Sequence, residues 1–237
     1  MAEADVTRKL AAILYADVAV HRPQKGANPM IDLYSWNTSN GRKVAIMLEE
    51  LDLPYDFHPV NIGKGEQFDA EFEKISPNNK IPAIIDTEGP DGEPVSIFES
   101  GAILIYLAEK TTSFLWPMDP RRRIQVLEWL MFQMGGVGPM FGQALHFKHY
   151  GKGEIAYGVK RDGDEVDRLC RVLNKRLADR EYLVEGYSIA DIAVYPWTAR
   201  WEWLKLDWSL YPNLHRWFET ISARPAVQRG LVAQAVD

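Results

Sequence analysis

Three short stretches carry polar groups whose spacing could do chemistry. In the first, Thr38-Ser39-Asn40 stands between the apolar run Ile31–Ser35 and a helix-spaced series, Val44, Met47, Leu48 and Leu51. Hydroxyl and amide groups are thereby set at a helix N-terminus, where backbone N–H groups are free and the dipole is positive. Such a place favours an anion, although Thr, Ser and Asn are equally the ordinary helix caps. In the second, Phe98-Glu-Ser-Gly-Ala102 passes from a strand into a helix. The Ser100 hydroxyl and N–H can hold a carboxylate there while Glu99 meets an ammonium, a pairing that suits an amino-acid-like head group. In the third, Ser76-Pro-Asn-Asn-Lys-Ile-Pro-Ala83 ends in an Ile81–Pro82 step at the start of a strand. A cis bond there leaves the Ile81 main chain to pair with an extended peptide, and only about 5–6% of X–Pro bonds are cis.

Other reactive residue types read as structural. Cys170 shares a helical face with Val166, Leu173 and Leu177, which makes it a packing residue and not a nucleophile. As the one cysteine of the chain, it also excludes an internal disulfide framework and a multi-cysteine metal site. His146 and His149 lie three apart on a helix without a carboxylate or thiol at ligand spacing, so no metal is expected. Trp197 and Trp201, at i and i+4, read as core.

The elements that must position these groups follow from the pattern. Strands are expected at 31–35, 56–61, 82–86 and 95–98, with a helix over 41–52 and another from Ser100 to Lys110. Glu88-Gly-Pro-Asp-Gly92 signals a hairpin between the last two strands. After Trp116-Pro117 long helical patterns take over. Of 237 residues, 46% are apolar and 25% charged, an ordinary globular balance. The net charge of −6 disfavours nucleic acid as a partner. Residues 30–112 carry 6 basic and 15 acidic side chains, so an anionic ligand there must be held by local donors. No run of 18 apolar residues suggests a membrane span, and the single cysteine suggests a reducing, cytoplasmic setting. Residues 1–29 lack the basic start and cleavage site of a signal peptide, and they are expected to be peripheral, with Met30 as the natural beginning.

Taken in order, these stretches resemble the glutathione transferase superfamily over about residues 30–230. The chain is most similar to the bacterial Nu-class-like group of disulfide-bond oxidoreductases, related to the fungal nitrogen regulators. Matching stretches are Thr38-Ser-Asn-Gly41, Ile62-Gly-Lys-Gly-Glu-Gln-Phe68, Ile75–Ala83, Phe98–Leu104 and Trp129–Gln143, with its Gly135-Gly-Val-Gly-Pro139. The resemblance implies an α/β plus all-α fold: a thioredoxin-like glutathione-binding domain over 30–112 and an all-helical domain over 118–237. Ser188-Ile-Ala-Asp191 matches the superfamily's capping box and is assigned to folding.

The implied substrate is glutathione, with no metal, in a homodimer. Glu99 and Ser100 would take its γ-glutamyl head, and Ile81 before a cis Pro82 its cysteinyl backbone. Gln67 and Lys80 would meet the glycyl end, and Arg161 would approach from the helical domain, sometimes across a dimer interface. Tyr34 lies inside its strand and reads as structural, so the thiol-activating position falls to Thr38 with Asn40 beside it. With no cysteine near, the nucleophile must be the thiolate of glutathione. It would attack either a small disulfide or an electrophile, the latter in an apolar pocket walled by Trp36 and tryptophans of the helical domain. A non-catalytic regulatory or structural module of the same fold is the alternative, disfavoured by the presence of Thr38, Asn40, Pro82, Glu99 and Ser100.

Overall fold

The computed structural model describes residues 30–151 and 155–234. The expectation for residues 1–29 therefore lies outside the described residues. Strand β1 (Ile31–Ser35) is followed by helix α1 (Ser39–Glu50), β2 (Tyr55–Pro59), the short α2 (Ala70–Ile75), β3 (Ala83–Asp86), β4 (Val95–Phe98) and α3 (Ser100–Lys110). The sheet order is β2-β1-β3-β4, with β1 and β2 parallel and the other pairs antiparallel. This is the thioredoxin-like layer expected from the sequence. Its bounds differ from expectation: β2 is Tyr55–Pro59 in place of 56–61, α1 ends at Glu50 in place of 52, and two starts shift for simple reasons. Thr38 caps α1 and starts it at Ser39, and Pro82 has no N–H to give to a ladder, so β3 begins at Ala83.

The helical part opens with α4 (Pro120–Phe132), capped by Asp119, whose side chain accepts from the Arg122 N–H. A π-turn at Gln133–Val137 leads into α5 (Gly138–Leu145), and a second π-turn covers His146–Tyr150. Helices α6 (Ala156–Arg176), α7 (Ile189–Thr198), α8 (Trp201–Leu204), α9 (Pro212–Ser222) and α10 (Pro225–Val232) complete it. The capping box at the start of α7 forms as expected, with Asp191 also accepting from Leu183 N–H and Trp217 Nε1, both at 2.9 Å.

Helix α1 is the shared element of the two parts. Val44 through Leu48 are all fully buried, because α1 packs against α3, α7 and α10 and shares one core with Ile31, Leu33 and Ile84 of the sheet. One continuous core therefore runs from Ile31 and Leu33 of the sheet to Phe141 and Trp217 of the helices. The α10 contact is close: a Cβ on Gly230 would meet the Ile46 backbone nitrogen at 2.7 Å. Arg224 grips Glu50 bidentately at 2.7 and 2.8 Å, and Arg229 reaches Glu49 at 2.6 Å. Gln234 Nε2 donates to Ser35 Oγ and to the Gly41 carbonyl, both at 3.1 Å, which pins the chain beneath the β1–α1 turn. The turn itself requires glycine at 41, where a Cβ would stand 2.3 Å from the Trp36 carbonyl oxygen.

Candidate active site

The head of α1 presents donors. Thr38 Oγ1 accepts from the Gly41 N–H at 3.1 Å, so the cap uses the oxygen and leaves the hydroxyl proton unclaimed. Asn40 Oδ1 accepts from Trp197 Nε1 at 3.2 Å, and since an indole can only donate, this bond orients the Asn40 amide with its NH₂ outward. Both residues thus have an acceptor atom held by the protein and keep N–H or O–H groups to offer. Tyr34 is engaged elsewhere, stacked on His58 at 4.7 Å, with His58 hydrogen-bonded to Asp32 at 2.7 Å.

At the β4–α3 junction Glu99 adopts φ 70°, a left-handed conformation unusual for a residue with a Cβ. That bend turns the strand into the helix and leaves the Glu99 side chain exposed over the cleft while Ser100, at the first turn, is almost fully buried. Backbone strain of this kind gathers where geometry serves function. The Ile81–Pro82 bond is cis. The loop before it is held by Ser76 Oγ, which donates to the Lys80 carbonyl at 2.8 Å. Gln67 sits in a 3₁₀ turn at Glu66–Phe68, and its Oε1 is buried without a partner. Lys80 is exposed.

Between the two parts lies a cavity of about 350 Å³, lined among others by Asn40, Lys43, Glu99, Gln133, Met134 and Trp197. Asn40 and Glu99 therefore face one space, while Thr38, Gln67, Lys80, Ile81, Pro82 and Ser100 are not among its lining residues. Arg161 does not line it; the side chain is exposed on α6 and pairs with the buried Asp162 at 3.0 Å. Trp36 does not line it either. Trp197, for which the sequence favours core over pocket wall, is half-buried, walls the cavity and orients Asn40. Cys170 is buried in the α6 packing face, where desolvation pushes its thiol up to about 12. Among the described residues no cluster of three His, Cys, Asp or Glu could hold a metal. His149 instead stacks on Trp203 at 4.3 Å.

Among the cavity residues that sequence reasoning missed are two buried polar ones, Lys43 and Gln133. Lys43 is wholly buried, and burial pushes its ammonium down to about 7 against the opposing pull of Glu99. Its Nζ donates to Gln133 Oε1 at 2.7 Å and to Ser100 Oγ at 3.2 Å. A signal existed for each. Lys43 falls four residues before the buried Met47, and Gln133 continues the buried stripe of Val126 and Leu130.

The family description "Glutathione S-transferase, N-terminal domain" matches residues 33–113, and "Glutathione S-transferase, C-terminal domain" matches 146–225. The chain is 50% identical to the disulfide-bond oxidoreductase YfcG of Escherichia coli, over 86% of this chain and 95% of that one. It is 32% identical to protein URE2 of Candida albicans, over 81% of this chain and 66% of that one. Among solved structures, a glutathione transferase from Pseudomonas putida with one glutathione disulfide bound per subunit superposes with a TM-score of 0.82 at 44% identity, covering 88% of this chain and 93% of that one. With both halves matched in order around a thioredoxin-like sheet and a helical bundle, this chain belongs to the glutathione S-transferase family.

Proposed function

We propose that the protein binds glutathione in the cleft between its two parts and uses the bound thiolate to attack a disulfide or an electrophile. The observation that carries this reading is the donor state of Thr38 and Asn40. Each has its acceptor oxygen occupied by a structural N–H, so each can offer a hydrogen to a charged sulfur at the positive end of α1. The Ser100 N–H, unpaired at the first turn of α3, and its hydroxyl would receive the γ-glutamyl carboxylate, and Glu99 the α-ammonium. Ile81, ahead of Pro82, would offer its main chain to the cysteinyl unit. Gln67 and Lys80 would meet the glycyl end, and the exposed Arg161 would approach from the helical domain.

In the disulfide reaction the thiolate attacks one sulfur of the substrate, the S–S bond breaks, and the departing thiolate takes a proton from water. A second glutathione thiolate then attacks the mixed disulfide. Glutathione disulfide is the oxidised product and the substrate leaves as two thiols. This balance supplies both electrons from glutathione and asks nothing of Cys170. It agrees with the name of the Escherichia coli relative and with the ligand of the Pseudomonas putida structure.

On this reading residues 30–112 are the thioredoxin-like glutathione-binding domain and 118–237 the all-helical domain. The protein works as a homodimer in the cytoplasm, where glutathione is kept reduced. Ile124 and Met131, seven apart on α4, are exposed apolar side chains that suit such an interface. No helix among the described residues is long and apolar enough to cross a membrane. Retention on glutathione-agarose followed by turnover of a hydroxyalkyl disulfide, and separately of an aryl halide, tests the proposal. Retention without turnover of either supports the non-catalytic alternative, and no retention sinks both.

A further inference from the structure

The floor of the cavity holds a charge hydrogen-bonded only to neutral acceptors, with Glu99 acting on it through space. Lys43 Nζ donates to Ser100 Oγ at 3.2 Å, Gln133 Oε1 at 2.7 Å and Met134 Sδ at 3.5 Å, and no carboxylate is bonded to it. A buried ammonium satisfied only by neutral acceptors is expensive to keep, and a hydrophobic residue of similar volume would serve packing better. Beside it, Gln133 Nε2 is buried with no acceptor at all. Two sets of donors, one charged and one unmet, therefore underlie Ser100 on the side of the cleft. The arrangement is tightly built: a Cβ on Gly138 would meet Gln133 Nε2 at 2.7 Å, and one on Gly101 would meet Met134 at 3.2 Å.

The hydroxyl of Ser100 has one proton to give. With Lys43 occupying an acceptor site on Oγ, that proton must turn elsewhere. In the structure its acceptor is Met134 Sδ at 3.8 Å, a poor partner that a carboxylate would readily replace. We propose that Lys43 is a positioning residue for glutathione, holding Ser100 with its hydroxyl proton toward the γ-glutamyl carboxylate and supplying that carboxylate's counter-charge from beneath. Gln133 of the helical part fixes the ammonium in place, so both parts of the fold contribute to one subsite. The inference rests on the glutathione reading above. Charged groups on the elements packed against α1 are otherwise engaged: Asp191 by Ser188 and Trp217, Arg229 by Glu49, Arg224 by Glu50, Lys110 by Asp86 and Asp32 by His58. Glu99 is the charge that acts on Lys43.

The test measures binding of S-methylglutathione, which has no thiol, by calorimetry at about pH 6.5 and about pH 8.5, on either side of the Lys43 titration, together with thermal melts. Lys43→Met is expected to keep or raise the melting temperature yet lose at least about tenfold in affinity at the lower pH. Wild-type affinity should weaken toward the higher pH as the ammonium is lost, and the variant's should stay flat. Gln133→Glu keeps the lysine but gives it a protein carboxylate, and it too should bind at least about tenfold more weakly at the lower pH. Wild-type affinity and pH profile in Lys43→Met, or in Gln133→Glu if the first variant does not fold, would overturn the inference alone. A wild-type protein that fails to bind S-methylglutathione would overturn the glutathione reading as well.

Discussion

Replacing Thr38 by valine separates a folding role from a chemical one, because the structure gives its hydroxyl both. The oxygen caps α1 by accepting from the Gly41 N–H at 3.1 Å, and its proton is left to face a ligand. Valine keeps the shape and removes both functions. Loss of a threonine cap costs about 0.5–2 kcal/mol, and a protein of this size loses about 2–4 °C of melting temperature per kcal/mol. Loss of a hydrogen bond to a charged sulfur costs about 1.5–3 kcal/mol, a fall of about 10- to 150-fold in turnover of a hydroxyalkyl disulfide near neutral pH. Thr38→Ser retains oxygen and proton and should restore most of each loss. The pH dependence gives the sign. A hydrogen bond to the thiolate lowers the thiol pKa, so its removal raises that pKa, and the variant should recover activity as pH climbs toward the free-thiol value of about 8.5. If Thr38→Val melts lower but turns over like wild type, the hydroxyl is only a cap. A loss of turnover that does not shrink at high pH would equally refute thiolate stabilisation.

Lys43 should make the unliganded protein more stable as pH rises. Its folded pKa of about 7 lies below that of an ordinary lysine, so the unfolded chain binds more protons between the two values. Thermal melts should show wild type gaining on Lys43→Met by up to about 1.4 kcal/mol per pH unit from about pH 7 upward, and a falling difference would contradict the buried ammonium. Glu99→Gly relieves a left-handed backbone that costs about 1–2 kcal/mol, so stability should hold or rise by at most that amount while glutathione affinity, measured by calorimetry, drops. Joint loss of both would mean that the bend is structural. Cys170→Ala should leave disulfide turnover within about twofold of wild type, since a thiol pushed up to about 12 supplies no thiolate near neutral pH.

What could be read without coordinates was local. The head of α1, the β4–α3 junction, the hairpin and the Ser188–Asp191 cap each depend on residues within a few positions of one another, where propensity, capping and turn chemistry act directly. The packing role of Cys170 was legible too, because the period of its helix already placed it among leucines. Trp197, Lys43 and Gln133 were misread or missed for the opposite reason. A tryptophan at helical spacing looks like core until the fold sets its indole N–H 3.2 Å from Asn40, 157 residues earlier. Lysine four residues from Met47 looks like a solvated neighbour until α3 and the π-turn after α4 close over it with Ser100, Gln133 and Met134. Gln133 looks like a break in an apolar stripe until it meets Lys43, 90 residues away. Sequence alone determined which backbone segments would end in free donors. Only tertiary structure decided which side chains would be shut away from water beside them, because burial belongs to the surfaces that meet and not to the residues in a row.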